Sequence, residues 1–405
     1  MAKPEIRFKR FNDEWKNYLL GSLGKTISGI GFPEKEQGGS IGVPFFKVSD
    51  MNNEGNEYEM CSSNNYVTQE QIKRNGWHVW EKPSIFFAKV GAAVLLNRKR
   101  LVLSPCLCDN NTMLYCFDEK KWNPYFCLSL FSNINLASLA QTGTLPSYNG
   151  GMVEGMIVRI PSSIGEQNSV ADFFKSLDSM IQISMKKIAS LKQMKSASLI
   201  SMFPQKGETK PRVRFKGFEG EWEDVSFKDI TYLSGTKNRD NLPLESYSIS
   251  NEKGFVPQNE QFEQGGTMSN ADKRFYYIVT PDSFAYNPAR INVGSIGYDD
   301  LDKDVIVSSL YVVFKTDENT NNYFLNHWFK TPMFREMIEL YQEGGVRLYF
   351  FYDKLCQCHF RRPCLAEQEK IASFFTNLDK QISLQEQRLE KLKQIKAACL
   401  DKMFV

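Results

Sequence analysis

The chain has 405 residues, 42% hydrophobic and 24% charged, with a formal net charge of +3. That balance excludes a wholly disordered chain, and the absence of any apolar run near the length of about 20 residues needed to span a bilayer excludes a helical membrane protein. At about 150 residues per domain the length calls for two to three domains, and a charge this small neither requires nor forbids a nucleic-acid partner.

The first residues, Met1-Ala-Lys-Pro-Glu-Ile-Arg-Phe, carry no export signal, so a cytoplasmic protein is expected. The nine cysteines then read as reduced thiols, because an odd number does not close a disulfide framework. Cys356, Cys358, His359 and Cys364 cluster tightly but lack the C-x2-C pair that structural zinc favours. They read as structural cysteines, with no metal and no cofactor expected.

In chain order, the first element is an opener, Pro4-Glu-Ile-Arg-Phe-Lys-Arg-Phe-Asn-Asp-Glu-Trp15, extended and anchored by its aromatic residues. Residues 43–48, 84–90, 92–96 and 155–160 are short apolar, β-branched runs bounded by Gly, Pro, Asn and Ser, and read as strands. Residues 166–203 follow without an internal proline or glycine. Apolar residues there recur in steps of four and three, the stripe of a long amphipathic helix of about 57 Å.

Residues 204–211 are polar and flanked by prolines, and read as a linker. The opener then returns as Pro211-Arg-Val-Arg-Phe-Lys-Gly-Phe-Glu-Gly-Glu-Trp222, 207 residues after its first copy. Strands are predicted at 276–280, 304–307 and 310–314, with a helical patch from Asn322 to Tyr341 broken at Pro332. Finally the helix itself returns at 367–404, displaced by 201 residues without a gap. Phe173, Leu177, Ile181, Ile188, Leu191 and Met202 meet Phe374, Leu378, Ile382, Leu389, Leu392 and Met403. Repetition at one fixed period marks duplication.

The predicted fold class is α+β: two mixed, strand-rich domains, each followed by a long helix. The segments are 1–162 and 205–364 for the domains, the linker being counted with the second, and 163–204 and 365–405 for the helices. If the termini of the second domain lie close together, the helices run antiparallel as a coiled coil with pseudo-two-fold symmetry. The seam carries polar residues at Ser184/Gln385 and Lys195/Lys396, suited to fixing register. Alternatively Met194 and Ile395 carry the seam there while both lysines reach outward.

Several enzyme signals fail on a specific residue. Gly21-Ser-Leu-Gly-Lys25-Thr26 lacks the first glycine of a phosphate-binding loop, where Leu19 stands. Asn123-Pro-Tyr-Phe and Asn287-Pro-Ala lack the second proline of an amino-methyltransferase motif. His78, His327 and His359 have no Ser or Cys context for a hydrolytic triad. A catalytic site is therefore not expected.

The repeated Pro-x-[IV]-Arg-Phe openers, the Glu-Gln helix starts and the Phe-Phe-x-x-Leu-Asp cores closely resemble the specificity subunits of type I restriction-modification systems, over the whole chain. The stretches Pro44-Phe-Phe-Lys47-Val-Ser49-Asp50-Met51, Phe86-Phe-Ala-Lys89-Val-Gly91, Tyr286-Asn-Pro-Ala-Arg290-Ile-Asn292 and Gly344-Gly-Val-Arg347-Leu are similar to parts of that family's recognition domains. Gly143-Thr followed by Asn149-Gly-Gly-Met departs from the Gly-x-x-Arg pattern at Arg347. The resemblance implies a non-catalytic subunit in which each domain reads one half of a split double-stranded DNA target. It also implies twin helices that bind two methyltransferase subunits, and two restriction subunits that join to cleave.

Read physically, two unlike domains on a symmetric support suit two short sequences a fixed distance apart. Base edges are read by Arg, Lys, Asn or Gln, and phosphates are held by Lys and Arg. The candidates are Lys47, Ser49, Asp50, Lys89, Arg98, Lys99 and Arg100 in the first domain. In the second they are Asn238, Arg239, Lys273, Arg274, Arg290, Asn292 and Arg347. The competing classes are a coiled-coil scaffold, which leaves the strand-rich domains without a purpose, and a DNA-modifying enzyme, which lacks motifs.

Overall fold

The structure, a computed structural model, describes residues 3–140, 145–251, 253–261, 272–345 and 347–404. The two repeated stretches are continuous helices, Ile164–Ser201 and Leu365–Met403. The chain divides into two compact units, Met1–Lys186 with Glu386–Val405, and Lys187–Gln385. Each unit therefore holds one strand-rich domain and a part of both helices.

Within each unit the helices run antiparallel. In the first, Lys396 Nζ lies 2.6 Å from Asp178 Oδ1, and Phe404 packs on Phe174 with ring centroids 6.0 Å apart. In the second, Lys195 pairs with Asp379, Leu191 packs with Leu378 and Ile382, and Phe203 stacks on Phe375. Residue numbers rise along one helix as they fall along the other. Leu177, Ile181, Ser184, Ile188, Leu191, Leu378 and Ile382 are buried, as the stripe requires. Met194 and Ile395 are 45% and 48% exposed, so they do not carry the seam at the lysines. Each lysine instead meets the aspartate of the opposite Phe-Phe-x-x-Leu-Asp, two partners that the apolar stripe alone does not assign.

The Glu-Gln at the start of each helix proves to be a buried anchor. Glu166 accepts from Arg7 of the first opener, and Glu367 from Arg214 of the second. Gln167 accepts from the Asn123 amide at 3.0 Å and Gln368 from the Asn321 amide at 2.9 Å. All four anchor residues are at most 2% exposed. The helix start thus holds both the opener and the loop before the next helix of the domain, which is how an identical motif can seat two unlike domains.

The domains share a topology that their sequences do not display. In the first, an antiparallel sheet runs in the order Gly24–Ser28, Thr112–Phe117, Ser84–Ala88, Lys99–Val102. In the second the order is Thr231–Leu233, Val312–Thr316, Phe284–Tyr286, Ile296–Tyr298, again antiparallel. A second sheet accompanies each, three-stranded in the first domain and five-stranded in the second. The patch from Asn322 is two helices, Asn322–Trp328 and Pro332–Tyr341, with Pro332 in the first turn of the latter, where its missing N–H costs nothing.

One expectation is corrected. Residues 92–96 are a 3-10 turn, Ala92–Val94, and its exit, not a strand. Gly91 at φ +88° and Asn97 at φ +50° bracket it, and Leu95 and Leu96 are 63% and 60% exposed. Residues 204–211, read as a linker, carry local structure of their own. Pro204 is buried, the Gln205 N–H donates to Glu208, and Arg212 pairs with Glu208 at 2.8 Å.

Candidate nucleic-acid interface

In the second unit the central strand Phe284–Tyr286 leads into a loop whose first residue, Asn287, accepts from the Ala289 N–H. The 3-10 turn Ile291–Val293 follows, and Gly294 at φ +90° ends it in a conformation that favours glycine. The apolar side chain Ile291 is buried and fixes the turn, whereas Arg290, Asn292 and Val293 are exposed.

Arg347 is brought to the same region. The Phe350 N–H donates to Pro288 O at 3.0 Å, and Glu343 and Tyr349 exchange backbone hydrogen bonds around the exposed Arg347. At Gly344, φ is +135° and a Cβ would stand 2.1 Å from Arg347 O, so this hairpin needs glycine there. Arg290, Asn292 and Arg347 therefore sit on adjoining loops pinned to one another.

The other candidates of this unit divide. Arg239 and Lys273 are exposed, and Arg274 is exposed with an ion pair to Asp272 at 2.7 Å. Asn238 is only 1% exposed, and its amide both donates to and accepts from the Leu242 backbone. That side chain closes a turn and does not face solvent, a correction to its candidacy.

Residues 12–193 and 219–394 match the type I restriction modification DNA specificity domain, once in each half. The chain belongs to that family. Among solved structures, the specificity (S) subunit of a type I restriction-modification system from M. genitalium is 12% identical with a TM-score of 0.64, over 100% of this chain and 99% of that one. A chain from a study of complex assembly and conformational transition of the type I system is 14% identical with a TM-score of 0.52, over 97% of this chain and 98% of that one. At these identities the likeness is one of fold.

In the first unit of this specificity protein the central strand Ser84–Ala88 leads into the equivalent loop. Lys89 donates its N–H to Asn111 O at 2.9 Å, and its carbonyl accepts from Tyr148. Lys47 Nζ donates to Gln37, and Ser49 is exposed. Asp50 is fully buried, accepting from the Lys47 and Asn64 amides and the Ser63 hydroxyl, so it shapes the loop that carries Lys47 and does not face solvent, a correction to its candidacy.

The basic run is largely turned inward. Lys99 is 5% exposed and donates to Ile134 O, and burial pushes its ammonium down to about 7. Arg100 donates to Asn56 O and Lys99 O, and burial lowers its guanidinium to about 10. Arg98 is half-buried and donates to Asn52 at 2.7 Å. Sequence reasoning missed Asp109, which is 6% exposed between Lys47 and Asn111, with Oδ1 unpartnered and its carboxyl raised by burial. The only signal for it was the Asp-Asn-Asn turn between two apolar strands. Gly143 and Thr144 lie outside the described residues.

The enzyme-like motifs resolve into structure. Gly24, Lys25 and Thr26 lie on a strand, and Thr26 and Lys25 bond Glu154. Asn123 caps the helix Pro124–Asn133 by accepting from Tyr125 and Phe126. His327 is buried in the second core, and Cys358 is buried with its thiol pushed up to about 12. Among the described residues no group of three His, Cys, Asp or Glu could hold a metal, and no helix is long and apolar enough to cross a membrane.

Proposed function

We propose that the two domains of this DNA specificity protein read two unlike half-sites of one split duplex target, while the chain itself supplies no catalytic group. The observation that carries this reading is that one anchor, Arg-Glu with Gln beside it, is built twice beneath loops that do not repeat. A repeated support with unrepeated loops is suited to joining two different sequence preferences in one molecule. In the second half-site the readers are Arg290, Asn292 and Arg347, with Arg239, Lys273 and Arg274 as further exposed cations of the same unit. In the first they are Lys47, Ser49 and Lys89, with Arg98 contributing from a partly buried position.

The paired helices set the spacing between half-sites and dock two methyltransferase subunits, and two restriction subunits join that assembly. Methyl transfer and cleavage belong to those partners. The test is selection from random duplex DNA with and without a methyltransferase partner, alongside a labelled methyl-transfer assay of the purified chain. Partner-dependent enrichment of a split sequence, with no transfer by the chain alone, is the expected result. Methyl transfer by the chain alone would overturn the non-catalytic part of the proposal.

A further inference from the structure

The turn Ile291–Val293 stands between two polar clefts of the second unit and lines both. One cleft, of about 220 Å³, is lined by Arg290 together with Asn251, Ser308 and Tyr311. The other, of about 270 Å³, is lined by Asn292 with Asn326, Thr331 and Arg335. Val293 belongs to both and is 53% exposed. The exposed turn therefore forms a crest whose Val293 borders both clefts, with Asn251 as the other residue they share.

Each cleft carries an uncommitted arginine, and the second is also lined by the exposed Lys330. Arg290 and Arg335 are exposed, and among the described residues neither side chain has a hydrogen bond or an ion pair. Arg335 is exposed on the helix Pro332–Tyr341 beside the buried Phe334 and Ile338, which seat that helix on the core. Arg274, also exposed, is by contrast clamped by Asp272 at 2.7 Å.

The shape has a counterpart in duplex DNA, where a major groove about 12 Å wide lies between two ridges of phosphate. A convex crest fits the groove, and concave flanks with a free cation fit the ridges. We propose that the crest enters the major groove with Asn292 toward the base edges, while Arg290 and Arg335, one in each flanking cleft, hold phosphates of the two strands. This rests on the reading of the second domain as a DNA reader, and it moves Arg290 from a base to a phosphate. Arg335 is added as a contact. Asn292 keeps the reading role, for which an amide offers the paired donor and acceptor that adenine presents in the major groove.

The experiment measures binding of the full chain with its methyltransferase partner to cognate and scrambled duplexes over a series of salt concentrations. Arg290→Ala and Arg335→Ala are each expected to weaken both duplexes by the same factor and to reduce the salt slope by about one, the double variant by about two. Lysine at either position should restore the slope, since a point charge suffices for a phosphate. Asn292→Ala should leave the slope unchanged and lose about ten- to a hundredfold of discrimination at one position of the second half-site.

The proposal is overturned if Arg290→Ala or Arg335→Ala relaxes base preference without changing the slope, or if Asn292→Ala weakens all sequences alike. Wild-type selectivity with those results would sink this inference alone. A wild-type complex that prefers no half-site at all would sink the functional reading with it.

Discussion

In the first unit the Glu166 carboxylate accepts from the Arg7 guanidinium at 2.7 and 2.8 Å and from the Trp15 indole at 3.1 Å. In the second, Glu367 accepts from Arg214 at 2.7 Å through both oxygens, and the Trp222 indole N–H has no partner among the described residues. Both halves keep the forked charge pair, because a buried carboxylate without a cation is costly. The tryptophan is kept for its ring, which packs on Phe404 in one unit and on Phe203 in the other.

The largest expected effect tests whether the charge pair is the common element. Glu166→Ala and Glu367→Ala should each cost about 3–5 kcal/mol, since each leaves a mostly buried guanidinium unpaired. Urea unfolding of the full chain measures this, and a cost below about 1 kcal/mol in either half would break the equivalence. The helix pairs sharpen the comparison next. The Asp178 side chain is 12% exposed, under Lys396 and the Tyr58 ring, whereas the Asp379 side chain is 36% exposed. Lys396→Ala should therefore cost about 3 kcal/mol and Lys195→Ala less than about 1 kcal/mol.

Trp15→Phe and Trp222→Phe separate ring from N–H. The first loses a hydrogen bond to a charged acceptor and should cost about 1.5–3 kcal/mol, and the second should cost less because no bond is lost. Equal losses would show that ring volume alone matters. The last comparison is a slope with pH. His327, packed on Phe375 and facing Lys330 and Lys195, is held to about 2 chiefly by burial. Its folded value lies below the ordinary one of about 6.5, so the unfolded chain takes the proton first. Its contribution to stability is complete above about 6.5 and is lost as pH falls toward about 2, by at most about 1.4 kcal/mol per pH unit. His327→Phe should flatten that acid limb, and an unchanged limb would refute it.

The long helices were legible because a repeat at constant offset leaves few alternatives, and the seam at Leu177, Ile181 and Leu378 followed from periodicity alone. The strands at 43–48 and 84–90 were legible for the same kind of reason, as apolar runs between turn residues. The turn at 92–96 was not, because its signal is two positive φ angles and not composition. The matching topology of the domains was hidden since sheet order is set by pairing between distant strands, which local pattern does not encode. Among the candidates, hydrogen-bonding chemistry marked Arg290 and Arg347 as well as Lys99 and Asn238, and only burial tells them apart. Arg335 was missed because a single charge on an amphipathic helix looks like any solvated one.

The central claim is that one repeated support carries two different sequence preferences. Selection of the wild-type chain with its methyltransferase partner against random duplex DNA tests it most directly. The account predicts a split target with two unlike halves at one fixed spacing. When seven residues are added at matching places in both helices, the same halves should be recovered farther apart by about 10.5 Å, the rise of seven helical residues. Recovery of a palindrome, or of the original spacing after the insertion, would contradict it.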